Sequence, residues 1–228
     1  MNYIDKFVFG IYPYIAMSIF IVGCLVRFER EQYSWKSESS QLLYAGQLRL
    51  GNILFHVGIL GLFFGHLVGL LTPVVVWDTL GISHSFKQVV AMTAGGIMGT
   101  MCLVGLVILI HRRFTCDRLL ANSTWRDKLV LIWLLITLLL GLSTIVVSSQ
   151  HLDGHEMVLL MTWAQHIVTF RGDAASFIAE ASIIFKLHIF MGMGLFVIFP
   201  FTRLVHVFSG FAAVTYITRA WQLVRPRS

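Results

Sequence analysis

The sequence predicts an all-α integral membrane protein of five transmembrane helices, with the N-terminus outside and the C-terminus cytoplasmic. Three observations carry that expectation. Hydrophobic residues make up 57% of the 228 residues and charged residues only 12%, against roughly a quarter charged in ordinary globular domains. Five apolar runs each approach the ~20 residues that a helix needs to cross a hydrocarbon core. Lys and Arg are concentrated in alternate connections between those runs.

The first run covers 7–26 and ends at Arg27. Its IVGC, ending at Cys24, faintly resembles a lipoprotein cleavage box, but Lys6 is offset by Asp5, so it reads as a plain first span. The second run, 51–72, is GNILFHVGILGLFFGHLVGLLT and carries His56 and His66 within its apolar length. The third covers 89–110 and stops at His111, Arg112 and Arg113. The fourth covers 129–147 and the fifth 183–207, with Pro200 expected to kink the fifth. Together they make one membrane domain over 1–228 with a short C-terminal tail. The longest connection, 148–182, holds QHLDGHEM and the ten-residue apolar piece MTWAQHIVTF. That piece is too short to span and is expected to lie at the outer surface as a cover.

Orientation follows from the charges. The connections after runs one and three and the C-terminal end hold thirteen Lys and Arg, among them Arg27, Lys36, Arg112, Arg113, Arg118 and Arg203. The other side receives four: Lys6, Lys87, Arg171 and Lys186. The basic side is expected to be cytoplasmic. The net charge of +6 is therefore an orientation signal and not a nucleic-acid footprint. Cys24, Cys102 and Cys116 form no CxxC pair, which argues against a disulfide framework, a zinc site or covalently attached haem.

Ionisable side chains inside a span are costly and mark function. His84, His111, His151, His155 and His166 lie in loops or at helix ends, where solvated histidines are ordinary. His56, His66, His188 and His206 differ. Runs two and five are antiparallel, so His56 and His206 share one depth, toward the cytoplasm, and His66 and His188 share another. Two imidazoles at one depth suit the two axial positions of a haem iron. A proton relay or a cation pathway is the other reading, weakened by the absence of Asp and Glu from the interiors of runs two to five. For uninterrupted helices at 1.5 Å per residue, His56 and His66 are about 15 Å apart and His188 and His206 about 27 Å. That mismatch of about 12 Å calls for tilt or a bend. By the same geometry His188 and His206 share a face, whereas His56 and His66 differ by about 80°. Gly61, Gly65 and Gly69, and Gly95 and Gly99, recur every four residues, as does His188 with Gly192. They suit either close helix packing or room for a flat macrocycle.

The chain resembles the gamma subunit of bacterial respiratory nitrate reductase, a membrane cytochrome b. The resemblance rests on DKFVFGIYPYIA, YSWKSESSQLL, NILFHVGILGLFFGHLVGLLTP, MTAGG, SSQHLDGHEM, WAQHIVTF, IFKLHIFMGM, FPFTRLVH and QLVRPR, almost the whole length. It implies two non-covalent b haems, the inner held by His56 and His206 and the outer by His66 and His188. It implies quinol oxidation near the outer haem at Lys87, with Gly65 and His66 beside it. The quinol would be ubiquinol or menaquinol. Electrons would pass to an iron–sulfur beta subunit and a molybdenum catalytic alpha subunit, with the chain in the bacterial inner membrane. Arg112, Arg113 and Arg203 are candidates for haem propionates or partner docking. A cytochrome of another quinone-linked reductase, or a haem-free anchor or transporter, are the competing expectations.

Overall fold

The computed structural model describes residues 2–30, 45–117, 119 and 123–208. Lys36, Arg118, Arg219, Arg225, Arg227 and the C-terminal tail lie outside the described residues. Among the described residues there is no strand. The long helices are α1 (Tyr3–Arg30), α2 (Ala45–Leu71), α4 (His84–Thr115), α5 (Trp125–Ser148) and α8 (Ile183–Ile198). Three shorter ones, α3 (Val74–Thr79), α6 (His155–Val168) and α7 (Ala174–Ile178), join them. The five long helices have the length and apolarity to cross a membrane, and the protein is an all-α, multi-pass membrane protein.

Local chemistry sets the helix boundaries. Ser83 caps α4 by accepting from Phe86 N–H at 3.2 Å. Thr124 and Asp127 form a capping box at the start of α5. Within α1, a π-helical turn at Phe7–Ile11 precedes Pro13. Proline has no N–H to give the carbonyl four residues back, Phe9 O. Trp163 of α6 supplies the missing donor through Nε1 at 2.9 Å.

The fifth span, expected over 183–207 with a kink at Pro200, is broken there outright. The α-helix stops at Ile198, and the chain goes on as two 3₁₀ segments, Phe199–Phe201 and Arg203–Phe208. Pro200 lacks the N–H that a helix would need, and Thr202 is extended (φ −127°, ψ 179°). Arg27 of α1 holds this break, with Nη1 donating to Pro200 O at 2.8 Å and Thr202 O at 2.6 Å. Gly23 admits the proline, since a Cβ there would fall 2.7 Å from its Cγ.

The long helices pack in an arc, α2–α4–α5–α8–α1. Glycine makes the α2–α4 contact close: a Cβ on Gly58 would lie 2.6 Å from Cys102 N. Aromatic rings line the α1–α8 seam, with Tyr12 stacked on Phe190 at 5.4 Å. Among the described residues α2 carries His56 and His66, α8 carries His188, and the last 3₁₀ segment carries His206.

The apolar piece expected to cover one surface is part of α6. It closes over that end of the bundle with α7, burying Phe9, Trp163, Ile167, Ala175 and Ile178 together. Gln165 Nε2 donates to Leu70 O at 3.1 Å and Thr72 O at 3.0 Å, satisfying carbonyls at the end of α2.

Candidate functional site

The four span histidines meet in two pairs. His56 of α2 and His206 of the last 3₁₀ segment have ring centres 6.1 Å apart, inclined at 76°. His66 of α2 and His188 of α8 also have ring centres 6.1 Å apart, inclined at 45°. The depth pairing expected from antiparallel runs is the one the chain adopts. The 12 Å mismatch does not arise, because the α-helix bearing His188 ends before His206. The expectation that His188 and His206 share a helix face fails for the same reason. His206 is aimed by its own turn.

Each imidazole is oriented by a main-chain carbonyl. His56 Nδ1–H donates to Asn52 O at 2.8 Å, His66 to Leu62 O at 2.7 Å, and His206 to Arg203 O at 2.7 Å. His188 is oriented from a different helix, donating to Thr137 O of α5 at 3.0 Å. A carbonyl can only accept, so the proton is on Nδ1 in all four rings. In the neutral ring that leaves Nε2 with its lone pair, the form in which imidazole binds metal. Two imidazoles opposed across one metal ion, at about 2 Å per metal–nitrogen bond, have ring centres roughly 6 Å apart. Both pairs match that spacing.

The glycines divide between the two expected roles. Gly51, Gly58 and Gly61 press against Ile108, Cys102 and Met98 of α4. Gly65, Gly69 and Gly192 have no other heavy atom within 4 Å of where a Cβ would stand. Gly65 and Gly69 lie on α2 within one turn of His66, and Gly192 lies on α8 one turn from His188. Gly141 serves His188 instead, since its Cβ would lie 2.8 Å from Cε1. Among the described residues no group of three or more His, Cys, Asp or Glu converges to hold a metal. The donor set is two-fold at each pair, which fits a metal whose remaining ligands come from a planar macrocycle.

Lys87, which meets α2 at Gly69, three residues after His66, is buried at 7% exposure. Its ammonium donates to Gly69 O at 3.0 Å and to Met161 Sδ of α6 at 2.7 Å. It also lies 4.5 Å from the centre of the Trp77 ring. Such a cation–π contact stabilises a desolvated ammonium by about 2 kcal/mol. The neighbouring Gln88 clamps the α5–α6 connection. Its Nε2 donates to Ser148 O at 3.0 Å and His151 O at 2.8 Å, and its Oε1 accepts from Gly154 N–H at 2.8 Å.

At the His56 end the cationic candidates cluster around a carboxylate. Arg203 Nε donates to Asp127 Oδ1 at 2.7 Å. Arg113 Nη1 lies 4.0 Å from Asp127 Oδ2 and donates to Ser123 Oγ at 2.8 Å. Arg112 is buried nearby in the last turn of α4. Sequence reasoning named the arginines but missed Asp127, although T-x-x-D before an apolar run is a readable capping signal. It also missed Gln88, Trp77, Met161 and Gly141.

The nitrate reductase gamma subunit family matches residues 5–227 of the chain. The chain is 45% identical to the respiratory nitrate reductase 1 gamma chain of Escherichia coli over 227 residues, covering all of both chains. It is also 45% identical to the respiratory nitrate reductase 2 gamma chain of that organism over 227 residues, covering 100% of this chain and 99% of the relative. The nitrate reductase gamma chain of Bacillus subtilis is 37% identical over 223 residues, 98% of this chain and 99% of that one. With the family matched over nearly its entire length, the chain belongs to the nitrate reductase gamma subunit family.

Proposed function

We propose that this chain is the quinol-oxidising cytochrome b subunit of a respiratory nitrate reductase. Two haem b groups are assigned to it, an inner one between His56 and His206 and an outer one between His66 and His188. The observation that carries this reading is the repeated 6.1 Å separation of paired imidazoles, each bonded through Nδ1 to a main-chain carbonyl so that Nε2 of the neutral ring keeps its lone pair. Haem b held by two neutral imidazoles supplies one-electron transfer at nearly fixed geometry.

The chain's own residues then divide the work. Lys87 has three N–H donors, two of them used by Gly69 O and Met161 Sδ. The third is assigned to a quinol oxygen, and Gly65 and Gly69 leave room for the ring to approach His66. Quinol oxidised there yields quinone, two protons and two electrons. The charge bias puts Lys87 and the N-terminus outside, so the protons are released outside and the electrons travel inward. That division builds a membrane potential. Arg112, Arg113 and Arg203 are assigned to haem propionates or to the docking face for an iron–sulfur subunit. A molybdenum subunit beyond it would reduce nitrate, with ubiquinol or menaquinol as donor at the bacterial inner membrane.

The test is a pyridine-haemochrome assay with redox difference spectra on the purified chain. The expected result is two b haems per polypeptide. His66→Ala or His188→Ala should remove one spectral component, and His56→Ala or His206→Ala the other. A folded, colourless protein, or one component lost from both His56→Ala and His66→Ala, overturns the reading.

A further inference from the structure

Three of the paired histidines sit in α-helices of a dozen residues or more, and His206 does not. It lies in the 3₁₀ segment Arg203–Phe208. Short 3₁₀ segments have weaker hydrogen-bond geometry than an α-helix and hold a side chain less firmly on their own. The position of His206 therefore depends on what ties that segment down.

One tie is Asp127, whose two oxygens do different jobs. Oδ2 accepts from Thr124 N–H and Thr124 Oγ1–H, both at 3.0 Å, which caps α5. Oδ1 accepts from Arg203 Nε at 2.7 Å. A cap needs only one carboxylate oxygen. The second leaves α5 and reaches the segment whose Arg203 carbonyl accepts from His206 Nδ1–H at 2.7 Å. The Asp127 side chain is only 6% exposed, where a charge-assisted bond of this length is strong.

We propose that Asp127 is a positioning residue for His206: its carboxylate fixes Arg203, and the Arg203 carbonyl fixes the imidazole. This rests on the haem reading above. Asp127 acts through two intervening groups and touches neither haem nor substrate. Loss of such an outer partner weakens metal binding by roughly 10–100-fold, here at one of two sites within one chain.

The experiment uses the full chain purified with its haem, and follows the ferric low-spin signals and the haem retained at each pair. His206→Ala and His188→Ala identify which signal belongs to which pair. Asp127→Asn is expected to shift the His56–His206 signal and to loosen that haem about 10–100-fold, with the His66–His188 signal unchanged. Arg203→Gln should shift the same signal, and the double variant should be no worse than Asp127→Asn alone. Thr124→Ala, which removes the hydroxyl half of the cap and leaves the residue-124 N–H and Arg203 bonds to Asp127, should leave both signals in place. The proposal is overturned if Thr124→Ala reproduces the effect, if the single effects add in the double variant, or if Asp127→Asn leaves the signal unmoved. Should Asp127→Asn not fold, Arg203→Lys carries the same comparison with the charge kept. A wild-type chain that binds no haem sinks the underlying reading itself, a result distinct from two haems that ignore Asp127.

Discussion

Gly141 of α5 lies against the imidazole of His188. A methyl built there falls 2.8 Å from Cε1 and 3.4 Å from both ring nitrogens. One turn earlier, the Thr137 carbonyl accepts from His188 Nδ1–H at 3.0 Å. A single stretch of α5 thus seats the ring and selects its tautomer. Gly141→Ala is expected to push the ring off that seat, a strain of about 1–3 kcal/mol by analogy with overpacked cores. Absorption and ferric spectra should show the His66–His188 component weakened and the His56–His206 component kept. Equal loss of both would mean a general folding defect.

Arg27 ties α1 to the break in the fifth span through Pro200 O and Thr202 O. Hydrogen bonds from a charged donor contribute about 1.5–3 kcal/mol. Arg27→Ala should lower thermal stability by about that much and disturb the His56–His206 pair first. Arg27→Lys offers a point charge without the guanidinium fork and should rescue only partly. Full rescue by lysine would count against the two-carbonyl geometry.

The five spans, the histidine pairing and the interruption at Pro200 were legible because each leaves a local mark in the sequence: apolar length, an ionisable residue out of place, a missing N–H. Arg27 was legible only as one basic residue in a count, since its partners are carbonyls about 170 positions away. Gln88 acts on backbone atoms of the α5–α6 connection, which carry no residue-type signature, and Gly141 acts only by leaving room for a ring on another helix. Asp127 was visible as a cap, while its bond to Arg203 depends on how the chain turns after Ile198. That turn also removed the apparent 12 Å mismatch, which held only for unbroken helices.

Lys87 presents one ammonium proton beyond those used by Gly69 and Met161. If that proton meets a quinol oxygen, Lys87→Ala should lower kcat/KM for a soluble quinol analogue by about 10–100-fold, the equivalent of one charge-assisted hydrogen bond. Haem content should be unchanged, because Lys87 touches neither histidine pair. Steady-state kinetics alongside the haem assay decide it, and a loss of activity that tracks haem loss would reassign Lys87 to structure.

His166 and Asp173 close the turn after α6 at 2.7 Å, with Arg171 3.4 Å from the imidazole. The His166 hydrogen bond holds the Asp173 carboxyl below its usual range, helped by charge from His166 and Arg171. A carboxyl depressed in the folded state stabilises it above the unfolded value near 4 and loses that contribution as pH falls through the folded one. The turn should therefore loosen only on strong acidification. Hydrogen exchange across 169–173 at falling pH should show protection lost in the wild type and already reduced at neutral pH in Asp173→Asn. Identical exchange in the two proteins at neutral pH would remove the pair from the account.

Gln88 is 3% exposed and spends its whole amide on the α5–α6 connection. Gln88→Leu keeps the volume close and removes all three bonds, leaving Gly154 N–H without the acceptor it has now. A buried donor so stranded costs about 1–3 kcal/mol. Gly154 cannot easily shift to compensate, since it sits at φ +79° with its missing Cβ directed at His84. The strain should pass along α6 to Met161, whose sulfur touches the Lys87 ammonium. Limited proteolysis should then cut within 149–154 faster than in the wild type, and the KM for quinol should rise while both haem signals persist. If cleavage accelerates and KM stays fixed, α6 is a cover alone, and the Met161–Lys87 contact has no part in holding quinol.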